Sequence, residues 1–72
     1  MNEEITLLGS LLAPYGREIK LEDVAYNNGM HVLRLRIREE KRFTVIDINP
    51  ETARDWAKMM TTWADHMEES NG

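Results

Sequence analysis

The chain has 72 residues, of which 42% are hydrophobic and 31% charged, with a net charge of −4 and no cysteine. That length supports one small domain, residues 1–72, and excludes multidomain enzymes, large cofactor folds and repeat arrays. The missing cysteine excludes disulfide frameworks, Cys-based zinc sites, iron–sulfur clusters and thiol nucleophiles.

Surface scaling leaves a domain of this mass burying only roughly 60% of what its unfolded chain exposes, so one thin core is expected. The N-terminus, Met1-Asn2-Glu3-Glu4, is acidic where a secretory signal is basic, and the apolar run behind it is too short to span a membrane. A cytoplasmic protein with no membrane contact is expected.

Residues 3–13 are predicted to form a short helix. Ile5, Leu7, Leu8, Leu11 and Leu12 fall within about 160° of arc at 100° per residue. Gly9 opposes it by roughly 1 kcal/mol relative to alanine, and Pro14 and Gly16 supply the stop.

Three strands are predicted next, over 18–26, 30–38 and 42–48. In the first, Ile19 and Leu21 share one parity and Val24 and Tyr26 the other, which calls for a bulge near Glu22-Asp23. Asn27-Asn28-Gly29 signals a hairpin, with Asn28 and Gly29 as the central residues of a type I′ turn. That turn pairs Val24 with Leu33, Tyr26 with His31 and Asp23 with Arg34. The second hairpin turns through Glu39-Glu40-Lys41 and pairs Ile37 with Thr44, Leu35 with Ile46, Leu33 with Ile48 and Arg34 with Asp47. Asp23, Arg34 and Asp47 are thereby expected to line up as a cross-strand ion triad.

Asn49 is placed to cap a last helix over 50–67, with Pro50 at its first position and Glu51 at its positive end. Ala53, Trp56, Ala57, Met59, Met60, Trp63, Ala64 and Met67 share one face within about 160°. Asp65, Glu68 and Glu69 oppose the negative helix end, so the last turn is expected to fray and residues 70–72 to be disordered. The fold class is therefore α+β: a three-stranded antiparallel meander, a long C-terminal helix packed on one face and a short N-terminal helix, in the order α-β-β-β-α. The helix face is expected to rest on Leu33, Leu35, Ile37 and Ile46, because sheet and helix each need a partner.

Candidate functional residues are sparse. Arg34, Arg36, Arg38, Lys41 and Arg42 place five of the nine basic residues in nine positions. Arg34, Arg36, Arg38 and Arg42, with Phe43 for stacking, form a possible phosphate-binding surface, and Val45 shares the outer face with Phe43. The alternative is that Asp23, Asp47 and nearby glutamates neutralise the arginines, as the acidic total favours. His31 and His66 lack the convergent ligands a metal needs. No Ser–His–Asp set, assignable acid–base pair or Gly-rich phosphate loop is present. No catalytic, cofactor-binding or metal residue is assigned, and no small-molecule substrate is identified; Tyr26 and His31 are the only pair to inspect if the chain is an enzyme.

The element order resembles that of the double-stranded RNA-binding domain. That family's lysine-rich helix start is absent, since this chain has Asn49-Pro50-Glu51-Thr52-Ala53-Arg54 there. A closer resemblance is to short uncharacterised bacterial proteins of about 65–75 residues, carried by the Arg-rich middle strand, the Asp47-Ile48-Asn49-Pro50-Glu51-Thr52-Ala53 entry to the last helix, and that helix's Trp/Ala/Met face. It spans about Arg17 to Met67 and implies a domain of unknown function without a known activity.

The apolar supply exceeds what one small core can hide, with Phe43, Val45 and the Leu-rich N-terminal segment in need of cover. The function expected on these grounds is a non-enzymatic protein-interaction module that self-associates, a homodimer being the simplest form, or docks on a larger partner protein. The alternative is nucleic-acid binding through the arginine face.

Overall fold

The computed structural model describes residues 3–71. It is α+β, with a four-stranded antiparallel sheet in which every strand lies beside its chain neighbour, followed by one long helix. The strands are β1 (Glu4–Ala13), β2 (Arg17–Ala25), β3 (His31–Glu39) and β4 (Arg42–Ile48), and the helix is α1 (Pro50–Asn71).

The N-terminal segment is thus an edge strand, not the helix its periodicity suggests. Apolar residues at 5, 7, 8, 11 and 12 fit a helical stripe and also a strand with one slip in its alternation. The slip is present: the β1–β2 register shifts between Leu7 and Gly9, so Leu7 faces Glu22 while Gly9 faces Leu21. Gly9 weakens a helix more than an edge strand, and the pairing satisfies the outer edge of β2 from Arg17 to Ala25. Pro14 and Gly16 therefore do not stop a helix. They build the hairpin turn, with Tyr15 at φ 68 and Gly16 at φ 73. The order β-β-β-β-α also removes the likeness to the double-stranded RNA-binding domain.

The bulge expected in β2 is absent, because the first predicted hairpin is out by one residue. The loop holds three residues, Asn27, Asn28 and Gly29, instead of two. The Gly29 amide donates to the Tyr26 carbonyl at 3.0 Å and the Tyr26 amide to the Met30 carbonyl at 2.8 Å. Gly29 takes the left-handed conformation at φ 87, as a three-residue loop ending in a bulge requires. The Asn28 side chain accepts from the Met30 amide at 3.0 Å. Val24 consequently faces Val32, Asp23 faces Leu33 and Ala25 faces His31. A one-residue change of register moves a residue to the other set of cross-strand neighbours, which removes the need for a bulge and leaves β2 alternating without interruption.

The second hairpin has the expected pairing, Ile37 with Thr44, Leu35 with Ile46, Arg34 with Asp47 and Leu33 with Ile48. Its two-residue loop is Glu40-Lys41, with Glu40 at φ 53. At the entry to α1 the Asn49 side chain accepts from the Thr52 amide at 2.8 Å, and its carbonyl takes the first helical bond, from Ala53, at 3.0 Å. The helix continues through Ser70 to Asn71, so those two residues are not a disordered tail; Gly72 lies outside the described residues. The acidic last turn costs only a few tenths of a kcal/mol per charge, and no proline or glycine interrupts residues 51–71.

The largest departure concerns the core. Among the described residues only Val24 is fully buried. The helix meets the sheet chiefly at β3 and does not close over it. Ala53, Trp56 and Ala64 are half covered, whereas Trp63 remains 65% exposed and Met59 and Met60 are open as well. Leu33, Leu35, Ile37 and Ile46 are half-buried, not sealed beneath an indole face. The Cα radius of gyration is 14.8 Å, against about 11 Å for a compact chain of this length.

Candidate functional site

Two surfaces compete for the role of functional site, the arginine face of the sheet and the open apolar stripe of the helix.

Residues opposite one another in an antiparallel ladder share a face. One face of the sheet therefore carries Ile19, Leu21, Leu33, Leu35, Ile37, Ile46 and Ile48. The other carries Glu18, Lys20 and Glu22 on β2, Arg34, Arg36 and Arg38 on β3, and Phe43, Val45 and Asp47 on β4. The arginine row and the Phe43–Val45 pair are thus brought together, as the sequence indicates. Arg42 stands opposite Glu39 on the apolar-rich face, away from the row.

Each arginine of the row meets a carboxylate. Arg34 donates from Nε to Asp47 Oδ1 at 2.8 Å and from Nη2 to Asp47 Oδ2 at 3.1 Å, two bonds that lock the planar groups together. Arg36 Nε donates to Glu22 Oε1 at 2.8 Å, and Arg38 donates to Glu18 Oε1 from Nε at 3.2 Å and Nη2 at 3.1 Å. The Arg34 bond holds the Asp47 carboxyl below the usual carboxylate range, and Asp47 in turn raises the guanidinium's affinity for its proton. Asp23 does not complete the expected triad. The register places it on the opposite face, where its carboxylate lies 3.0 Å from His31 Nδ1. At the other end of the same face Arg17 pairs with Glu39 across β2 and β3.

No hydrogen bond joins Tyr26 to His31; Tyr26 lies near Arg34 instead. Among the described residues no group of three His, Asp or Glu side chains is placed to hold a metal ion. An open surface cleft of about 520 Å³ lies at one end of the sheet, lined by Tyr15 and by Glu39, Glu40, Lys41 and Arg42. Sequence reasoning missed it because its walls come from two hairpin turns, one of them read as the stop of a helix. Among the described residues no helix is long and apolar enough to cross a membrane.

The apolar stripe is the more unusual feature. Trp56, Met59, Met60 and Trp63 line one shallow groove along α1, and Lys58, Met59, Thr62, Trp63 and His66 line a second beside it. On the sheet, Phe43, Val45, Leu7, Leu8 and Leu11 are exposed too, and Leu12 reaches 82% exposure. Scattered apolar residues are ordinary on a surface, but tryptophan and methionine contiguous along a helix are characteristic of contact surfaces.

The model of a family of unknown function, DUF6967, matches residues 2–66. The chain belongs to that family. No curated protein and no solved structure matches it. Family membership agrees with the resemblance read from the middle strand and the helix entry, and assigns no activity.

Proposed function

We propose that this member of DUF6967 is a non-enzymatic protein-interaction module, working in the cytoplasm, whose apolar surface is covered by another protein chain. The observation that carries this reading is the near-absence of a core: among the described residues one fully buried side chain, Val24, beside a helix whose Met59, Met60 and Trp63 stand open. Folding is driven by removal of apolar surface from water, and here much of that surface is left for association to remove. The carboxylate partners of Arg34, Arg36 and Arg38 weigh against phosphate binding as the main role, since a phosphate has to displace a bound carboxylate at each position.

The test is sedimentation of the full chain, together with cross-linked capture from cells of its source. Self-association, or a defined partner whose binding protects Trp63 from solvent quenching, is the expected result. A chain that remains alone in both measurements, with its indoles still quenched, overturns the reading.

A further inference from the structure

We infer that Met59 and Met60 are a modification site, at which oxidation of the two thioethers by a peroxide turns the helix groove polar and weakens the contact made there. The inference rests on the reading above, that another chain covers this apolar surface.

The position of the two sulfurs is the first observation. Met59 stands three residues after Trp56 and four before Trp63, and Met60 stands four after and three before. Side chains three and four apart are neighbours on a helix surface, so one methionine flanks the tryptophan row on each side. Trp56, Met59, Met60 and Trp63 accordingly line one groove, and Met59 also lines the groove beside it.

Access is the second. Met59 is 65% and Met60 60% exposed, whereas Met67 on the same helix is 36% exposed. The chain has no cysteine, so no thiol competes for an oxidant that reaches this face.

The step is an oxygen transfer from hydrogen peroxide. The thioether sulfur gives an electron pair to one peroxide oxygen, and the S–O bond forms as the O–O bond breaks. The other oxygen leaves as hydroxide and takes the proton from the new sulfur-bound hydroxyl, giving a sulfoxide and water. Methionine is oxidised by two electrons and the peroxide is reduced by two.

A sulfoxide replaces a flexible apolar side chain with a polar one. The backbone amides around residues 59 and 60 are committed to the helix, so the new oxygen draws on water. Any apolar surface laid over the groove has to strip that water away, which costs affinity. The change is reversible, because methionine sulfoxide reductases return the thioether.

The experiment uses the full chain, hydrogen peroxide and anilinonaphthalene sulfonate as the apolar probe. Peptide mass spectrometry is expected to show Met59 and Met60 converted before Met67. Dye affinity is expected to fall about tenfold as they convert, with helical circular dichroism unchanged. Both sulfoxide reductases with dithiothreitol should restore it. Met59→Leu with Met60→Leu keeps an apolar groove without thioethers, and its dye affinity should survive peroxide. Met30, 58% exposed in the first hairpin loop, still oxidises in that variant and so serves as the control.

Dye binding that survives full conversion of Met59 and Met60 overturns the switch, as does an equal loss in the leucine variant. Loss of the helical signal overturns it too, since the dye then reports unfolding. None of these outcomes touches the interaction reading, which sedimentation and capture test without peroxide.

Discussion

Arg34 and Asp47 face one another across β3 and β4 and are joined by two parallel hydrogen bonds, 2.8 and 3.1 Å long, with the arginine side chain only 16% exposed. The pair lies on the charged side of a sheet with little core beneath it, so its geometry carries more weight than a loose surface pair. Asp47→Asn is expected to lower stability by about 0.5–1 kcal/mol at pH 7. The sign of the pH dependence follows from the lowered Asp47 pKa. A carboxyl with a depressed folded-state pKa stabilises fully above its unfolded value of about 3.9, and that stabilisation disappears as pH falls through the folded value. Urea titrations should therefore separate wild type from Asp47→Asn at pH 7 and show the gap narrowing as pH falls below about 3.9. A gap that does not change with pH contradicts the assignment.

Glu40 occupies the first position of the two-residue β3–β4 loop at φ 53, where a side chain costs roughly 1–2 kcal/mol and glycine pays no such steric penalty. Glu40→Gly loses part of that gain to the greater freedom of the unfolded chain, leaving a net stabilisation of about 0.5–1 kcal/mol. Thermal melting should show it as a rise of a few degrees.

Asn49 caps α1 through its side chain, and Asn49→Ala should cost about 1 kcal/mol. Because the helix meets the sheet chiefly at β3, the loss is expected first as fraying of its opening turns. Amide exchange from Thr52 and Ala53 should accelerate more than exchange from Leu35 in β3. Equal acceleration throughout would mean that helix and sheet unfold as one unit.

Gly9 gives a direct test of the edge strand. A Cβ there meets nothing within 4 Å, and its neighbours are in a ladder. Gly9→Val should raise stability by a few tenths of a kcal/mol, since valine favours a strand and its side chain has room. Calorimetry reads the change, and a loss of stability argues against the β1 ladder.

The β3–β4 ladder was legible in the sequence because alternation is a strong signal where it runs unbroken. Leu33, Leu35 and Ile37 against Arg34, Arg36 and Arg38 set the β3–β4 register, and Asp47 fixed it by needing the charged side. Asn49 and Pro50 marked the helix start through chemistry local to four residues. Three things were hidden. The first segment obeys helical and bulged-strand spacing equally well, and the choice depends on the open edge of β2, which is not a property of residues 3–13. Asn27-Asn28-Gly29 fits a two- or a three-residue loop, and that single ambiguity moved Asp23 from Arg34 to His31. The openness of the helix face was hidden for a different reason. Periodicity tells which side of a helix is apolar, and not which molecule covers it.

The meander order has a kinetic consequence. Each strand finds its partner a few residues away along the chain, so no long segment has to be immobilised before a ladder begins to form. Such a sheet can zip from its turns on the microsecond timescale of single hairpins. The pleated half can therefore be paired before α1 has found its contacts, which leaves Trp56 and Trp63 free to seek theirs elsewhere.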